Sequence, residues 1–83
     1  MGKILIVDDE KETVELLRLL LDKDHHDVFT ALGGDEALES LKSQIPHLIL
    51  LDVTMPKMDG YTFMAHLQAE DATRDIPVMV LTG

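Results

Sequence analysis

The 83-residue sequence contains no cysteine and few cationic residues, and both shortages exclude whole classes of function. Without cysteine the chain cannot form disulfides or thiolate metal sites, and nothing in it indicates an oxidising compartment. Seven Lys and Arg residues stand against sixteen Asp and Glu residues, which gives a net charge of −9. That charge argues against binding to a nucleic-acid backbone or to an anionic membrane surface.

The sequence also lacks a long hydrophobic run and a targeting signal. No apolar segment approaches the roughly 20 residues that a membrane-spanning helix needs. The N-terminus leads into a short apolar stretch without a small-residue cleavage site, and Ile6 stands where a myristoylation signal has Ser or Thr. We therefore expect a cytoplasmic protein, and the length predicts a single domain over residues 1–83.

Short apolar segments alternate along the chain with segments of helical periodicity. Ile4–Val7 and Leu48–Leu51 are continuous apolar runs, as in parallel strands buried on both faces. The predicted strands are 4–7, 27–31, 48–51 and 77–81, and the predicted helices are 11–24, 35–45 and 61–69. Strands that alternate with helices of this length predict an α/β fold of parallel βαβ units with right-handed crossovers.

Polar residues follow the predicted strands at the edge where an open α/β sheet binds ligands. Asp8 and Asp9 follow the first strand and Asp52 follows the third. If these strands are neighbours, three carboxylates converge, and such a cluster needs raised pKa values or a bound cation. Ligands that are all oxygen atoms suit Mg²⁺, which also binds phosphoryl oxygens. The pattern therefore predicts phosphate chemistry with a divalent metal.

Three segments resemble the receiver domain of two-component response regulators. They are Lys3–Asp9 (KILIVDD), Leu48–Gly60 (LILLDVTMPKMDG) and Ile76–Gly83 (IPVMVLTG). The resemblance covers the whole chain in register. It implies a three-layer, flavodoxin-like (CheY-like) parallel sheet with strand order 2-1-3-4. It also implies that the chain accepts phosphate from a sensor histidine kinase or a phosphotransfer protein, with Mg²⁺ as cofactor, and modifies itself rather than turning over a substrate.

The resemblance also implies a role for each matching residue of the motifs. Asp52 resembles the phosphoacceptor. The implied metal ligands are Asp8, Asp9, Asp52 and the backbone carbonyl of Thr54; the implied switch hydroxyl is Thr82; and the implied loop-shaping residues are Pro56, Asp59 and Gly60. Within the metal site, Asp9 resembles a direct Mg²⁺ ligand and Asp8 resembles a ligand that acts mainly through water.

The chain departs from the family pattern because it stops after the fourth predicted strand. A complete receiver resembles five strands and five helices, so the family's α4-β5-α5 segment is expected to be lacking, together with the Lys and the aromatic switch residue of the fifth strand. The fourth strand would then be an exposed apolar edge, and part of one sheet face would be uncovered. Such edges pair with other chains, so we expect a homo-oligomer.

Two other functions fit parts of the sequence. The chain is alternatively a receiver-derived structural fragment that oligomerises through its fourth strand and keeps a vestigial phosphorylation site. A phosphatase of the haloacid dehalogenase type also uses an Asp nucleophile at a strand end, but it needs a second Asp two residues later, where this sequence has Thr54.

Overall fold

The structure, a computed structural model, describes residues 2–23, 25–52 and 60–81. Its elements alternate along the chain as the sequence predicts. They are β1 (Lys3–Val7), α1 (Lys11–Asp22), β2 (Asp27–Ala31), α2 (Gly34–Leu41), β3 (Leu48–Asp52), α3 (Gly60–Ala69) and β4 (Val78–Leu81). No helix in the described ranges has the length and apolar character that a membrane crossing requires.

The four strands form one parallel sheet in the order β2-β1-β3-β4. This order confirms the predicted α/β fold and the predicted placement of the first and third strands side by side. β1 and β3 are the central strands, and they are buried along almost their whole length. Burial on both faces explains why these two strands are continuous apolar runs rather than alternating ones.

Alternate residues of β1 contribute to two separate cores because successive strand side chains point to opposite faces. Leu5 and Val7 join α2 and α3 in the larger cluster, whose largest buried side chain is Phe63. Ile4 and Ile6 join Val14 of α1 in a smaller cluster. The helices therefore cover both faces, which gives the three layers that the resemblance implies.

The second helix is shorter than predicted. The sequence suggested that it continues to Ile45 and ends at Pro46, but α2 ends at Leu41. The chain tightens there, because the backbone N–H of Lys42 donates to the carbonyl of Glu39 and the Ser43 hydroxyl donates to the carbonyl of Ser40. These bonds satisfy carbonyls that would otherwise continue the helix.

Smaller differences concern the ends of the other elements. α1 ends at Asp22, whereas the prediction reached Asp24, which lies outside the described residues. α3 begins one residue earlier than predicted, at Gly60. β4 begins at Val78 rather than Pro77, although the Pro77 carbonyl still accepts the backbone N–H of Ile49 at 3.0 Å. Proline has no N–H to donate, which fits its position just before the strand.

Candidate metal centre

The first and third strands bring two aspartates side by side at the carboxyl end of the sheet. Val7 of β1 and Leu51 of β3 are partners in register. Asp8 follows Val7 and Asp52 follows Leu51, so the two carboxylates project from adjacent strands at the same level. Both side chains are almost fully buried, with 5% exposure for Asp8 and 6% for Asp52.

Asp9 completes a cluster of three carboxylates. One oxygen from each of Asp8, Asp9 and Asp52 can be chosen such that all three lie within 4.8 Å of one another. Asp9 is exposed, whereas the other two aspartates are buried. No other group of three acidic, His or Cys side chains in the described ranges meets so closely. The convergence predicted from the strand order is therefore present.

Backbone hydrogen bonds fix the position of Asp8. Its Oδ1 atom accepts the backbone N–H of Glu10 at 2.9 Å, and its own backbone N–H donates to the carbonyl of Ala31 at 3.1 Å. The first bond forms an Asx turn, in which an Asp side chain accepts the backbone N–H of the residue two positions later. It joins the end of β1 to the start of α1 and limits the rotation of the carboxylate.

The contribution of Glu10 was not anticipated from the sequence. The structure shows that the backbone N–H of Glu10 orients Asp8. An Asp at the end of a strand, three residues before the start of a helix, is a signal from which this bond can be predicted, because Asp side chains commonly accept the N–H of the residue two positions later.

Burial raises the pKa of the Asp8 carboxyl, because a buried carboxylate loses the hydration that stabilises its charge. The nearby charge of Asp52, a hydrogen bond with that side chain, and the charge of Asp9 raise the pKa further. The Glu10 N–H acts in the opposite direction, since it stabilises the ionised form, but it does not offset the other effects. In the absence of a cation, the site therefore destabilises the charged form of Asp8.

The donor set fits a hard divalent cation. All three groups offer carboxylate oxygens, and a cation between them would offset the burial and the like-charge repulsion that disfavour ionised Asp8. Mg²⁺ is held by few carboxylates, keeps several waters and leaves positions for phosphoryl oxygens. Asp8, Asp9 and Asp52 are accordingly the residues that would hold it.

Several of the predicted site residues lie outside the described ranges. These are Thr54, Pro56, Asp59 and Thr82. Gly60 is described, and it is the buried first residue of α3. The roles assigned to all five residues remain predictions.

The chain matches known proteins over nearly its whole length. The family model for the response regulator receiver domain matches residues 4–83. The response regulator PleD of Caulobacter vibrioides is 42% identical over 82 residues, which are 99% of this chain and 18% of that protein. The chain thus spans less than a fifth of the length of this curated relative.

Solved structures show the same fold. The N-terminal domain of a response regulator receiver protein from Methanoculleus marisnigri JR1 superposes with a TM-score of 0.95 at 39% identity, covering 99% of this chain and 67% of that one. The response regulator TrrA of Thermotoga maritima, solved in complex with Mg²⁺–BeF, gives a TM-score of 0.89 at 33% identity, covering 99% of this chain and 70% of that one. This chain belongs to the response regulator receiver domain family.

Proposed function

We propose that the chain accepts a phosphoryl group on the Asp52 carboxylate, with Mg²⁺ held by Asp8, Asp9 and Asp52. The observation that carries the proposal is the meeting of these three carboxylates within 4.8 Å at the carboxyl ends of β1 and β3. Membership of the receiver family supports it, because receiver domains are phosphoacceptors in two-component signalling.

The proposed step is a transfer of phosphorus from nitrogen to oxygen. An oxygen of Asp52 attacks the phosphorus of a phosphohistidine, the new P–O bond forms as the P–N bond breaks, and the released electron pair returns to the donor imidazole. The product is an acyl phosphate on Asp52. The donor would be a sensor histidine kinase or a phosphotransfer protein, since receiver domains take phosphate from these proteins.

Neighbouring groups of the chain prepare Asp52 for this step. The Glu10 N–H holds the Asp8 carboxylate in place beside Asp52, and Asp9 lies at the exposed side of the cluster. The bound Mg²⁺ would neutralise the repulsion between the carboxylate nucleophile and the incoming phosphoryl oxygens. We also propose that the Thr54 carbonyl completes the ligand set and that the Thr82 hydroxyl binds a phosphoryl oxygen.

The proposal extends to the context of the chain. Residues 1–83 would act as one domain in the cytoplasm, without nucleic-acid or membrane partners of its own. The chain would carry one phosphoryl group per molecule rather than turn over a substrate. We further propose that it forms a homo-oligomer, because Met79 and Val80 on the outer strand β4 are 55% and 42% exposed.

A phosphorylation assay tests the proposed function. The 83-residue chain is incubated with acetyl phosphate and Mg²⁺, and intact-mass spectrometry should show a gain of about 80 Da, one phosphoryl group. Hydroxylamine should reverse the gain, since it cleaves acyl phosphates, and chelation of Mg²⁺ should prevent it. Asp52→Asn should abolish the gain, whereas the exposed control Asp75→Asn should retain it. A gain that survives Asp52→Asn would refute the assignment.

The second candidate is a structural fragment that assembles through its exposed apolar surface and keeps a vestigial site. The exposure of Met79 and Val80 on β4 favours it. Absence of any mass gain from the wild-type chain, together with a stable oligomer, would support this function over the first.

A further inference from the structure

Glu36, in the first turn of α2, holds the loop between β2 and α2 with its side chain. Its Oε2 atom accepts the backbone N–H of Leu32 at 2.9 Å. Gly33, the residue just before the helix, has no side chain with which to cap it. Glu36 therefore acts as the acid of a capping box does, in which the third residue of a helix reaches back to a backbone N–H that precedes the helix.

One peptide group links this bond to the candidate metal centre. The N–H of Leu32 and the carbonyl of Ala31 belong to the same planar peptide unit. That carbonyl accepts the backbone N–H of Asp8 at 3.1 Å. Glu36 and Asp8 thus hold the two ends of a single rigid group, and a rotation of this group would disturb both bonds.

Core residues next to these groups keep Glu36 within reach of the loop. Ala37, which follows it in α2, and Ala31 are fully buried, and they belong to the same cluster as Val7 of β1. The backbone N–H of Ala37 also donates to the Gly33 carbonyl at 3.0 Å. The start of α2 cannot move away from the end of β2 without opening this core, so the packing holds the Glu36 carboxylate near its acceptor position.

The Glu36 carboxylate also makes the shared peptide a better acceptor. Hydrogen bonds to an ionised group are stronger than those between neutral groups. When the N–H of a peptide donates to a carboxylate, the peptide is polarised, and its carbonyl then attracts a donor more strongly. Glu36 therefore strengthens the bond from the Asp8 N–H through the peptide that lies between the two residues.

Asp8 is held from two directions by these bonds. On one side, its Oδ1 atom accepts the Glu10 N–H just before α1. On the other side, its backbone N–H is bound to the end of β2. One oxygen of this buried carboxylate lies within 4.8 Å of an oxygen of Asp9 and of Asp52. Metal ligands depend on outer partners for their orientation, so a shift of the Asp8 backbone would change the geometry of the cluster.

We propose that Glu36 is a positioning residue of the metal centre, which acts on Asp8 through the peptide between Ala31 and Leu32. The inference rests on the proposed Mg²⁺ site and adds to it a residue from another helix. The role requires only an acceptor oxygen at this position. A glutamine at position 36 would therefore hold the Leu32 N–H as the carboxylate does, whereas an alanine would release it.

Amide hydrogen exchange of the metal-free 83-residue chain, followed residue by residue with NMR, tests the link. In Glu36→Ala, the amides of Leu32 and Asp8 should exchange about threefold faster, because water replaces an exposed hydrogen bond only in part. The reference is the Asp27 amide, which donates to the Gly2 carbonyl at the other end of the same strand pair. Its exchange should not change, whereas a general loss of stability would accelerate it as well.

Titration with Mg²⁺ by isothermal calorimetry tests the effect on the site. The matched controls are Glu36→Gln, which keeps the acceptor for the Leu32 N–H, and Glu39→Ala, which breaks only an exposed ion pair with Lys42 on the same helix. All three variants remove one negative charge, so they share any change in long-range attraction for Mg²⁺. Glu36→Ala should have a dissociation constant about two- to fourfold above both controls, less than the loss of a direct outer partner of a metal ligand causes.

The two measurements separate this inference from the proposed function. Unchanged exchange of the Asp8 amide in Glu36→Ala would overturn the inference, and so would faster exchange of the Leu32 amide alone, because Glu36 would then only cap α2. A wild-type chain that binds no Mg²⁺ would overturn the proposed function, while the exchange data would still decide whether Glu36 positions Asp8. If the wild type and every variant bound Mg²⁺ equally well, the proposed function would stand and the inference would fail.

Discussion

The two ends of the parallel sheet are built on opposite principles. At the amino end, polar groups are paired. The Gly2 carbonyl accepts the Asp27 N–H at 2.8 Å, the Lys3 carbonyl accepts the His47 N–H at 2.8 Å, and the Lys3 N–H donates to His47 Nδ1 at 2.9 Å. At the carboxyl end, like charges are crowded, and the pKa of Asp8 is raised by burial and by neighbouring carboxylates.

The difference indicates that the fold tolerates unfavourable electrostatic interactions at the end of the sheet where the proposed chemistry takes place. Hydrogen bonds that join β1 to both of its neighbours stabilise the amino end without a bound ligand. At the carboxyl end, a proton or a cation would relieve the burial and the like-charge repulsion that disfavour ionised Asp8. Ligands should therefore affect the carboxyl end strongly, and substitutions at the amino end should have small effects that do not depend on Mg²⁺.

Addition of Mg²⁺ should produce the largest change in stability. A ligand that binds only the folded state at a hundredfold excess over its dissociation constant stabilises the protein by about 2.7 kcal/mol. Urea denaturation with and without Mg²⁺ measures this gain. Asp8→Asn should remove most of it and should also stabilise the metal-free protein, because the substitution removes a buried charge while keeping an acceptor for the Glu10 N–H.

The control for this experiment is Asp75→Asn, which neutralises an exposed acid far along the chain from the cluster. It should keep the full Mg²⁺ effect. If Asp8→Asn instead destabilised the metal-free protein, the contrast between the two ends of the sheet would be wrong.

The pH dependence of the metal-free protein should show the next largest effect. The pKa of Asp8 is higher in the folded state than in the unfolded state. At pH values between the ordinary Asp pKa of about 4 and this higher folded pKa, the folded protein holds a proton on Asp8 that the unfolded protein releases. The contribution of Asp8 is therefore favourable at low pH and is lost as pH rises through the folded pKa. As the pH rises across this range, the urea midpoint of the wild type should fall more, or rise less, than the urea midpoint of Asp8→Asn. Identical pH profiles would contradict the raised pKa of Asp8 in the folded protein.

Much of the fold was predictable because its signals are local or follow from topology. Continuous apolar runs predicted β1 and β3 as the buried central strands, and alternation with helices predicted a parallel sheet. The end of α2 was not predicted. Pro46 is a strong helix breaker, so the sequence indicated that the helix continues to Ile45, but the helix ends earlier, at bonds that depend on the Ser43 hydroxyl and on tight turns. Hydroxyl groups of this kind also occur inside helices, so the sequence alone does not assign them.

The candidate site was predictable in composition but not in energetics. The convergence of Asp8, Asp9 and Asp52 follows from the neighbouring positions of two strands, which the sequence anticipates. The raised pKa of Asp8 depends on how deeply its carboxyl is buried and on its distance from Asp52, and both are properties of three-dimensional packing. The bond between the Glu10 N–H and Asp8 is similarly a matter of backbone conformation.

At the amino end, His47→Ala should have a smaller effect. The substitution removes the imidazole acceptor of the Lys3 N–H, and because the bond is exposed, water replaces much of it. We expect a loss of roughly 0.5–1 kcal/mol, the same with and without Mg²⁺. Urea denaturation measures the loss, and faster hydrogen exchange of the Lys3 amide should accompany it. His66→Ala, on the exposed side of α3, is the control. A loss that changed with Mg²⁺ would mean that the two ends are coupled through β1.

Gly2→Ala should have the smallest effect and should be slightly stabilising. A Cβ atom at this position would lie 3.4 Å from His47 Nδ1, which is an ordinary van der Waals contact. No left-handed backbone conformation demands glycine here, so alanine mainly restricts the unfolded chain, which is worth about 0.5 kcal/mol. Urea denaturation of Gly2→Ala alone and combined with His47→Ala measures it. A loss of stability that disappears in the double variant would show that the added methyl group displaces the imidazole of His47. The amino end would then also contain an unfavourable contact, which would weaken the contrast between the two ends of the sheet.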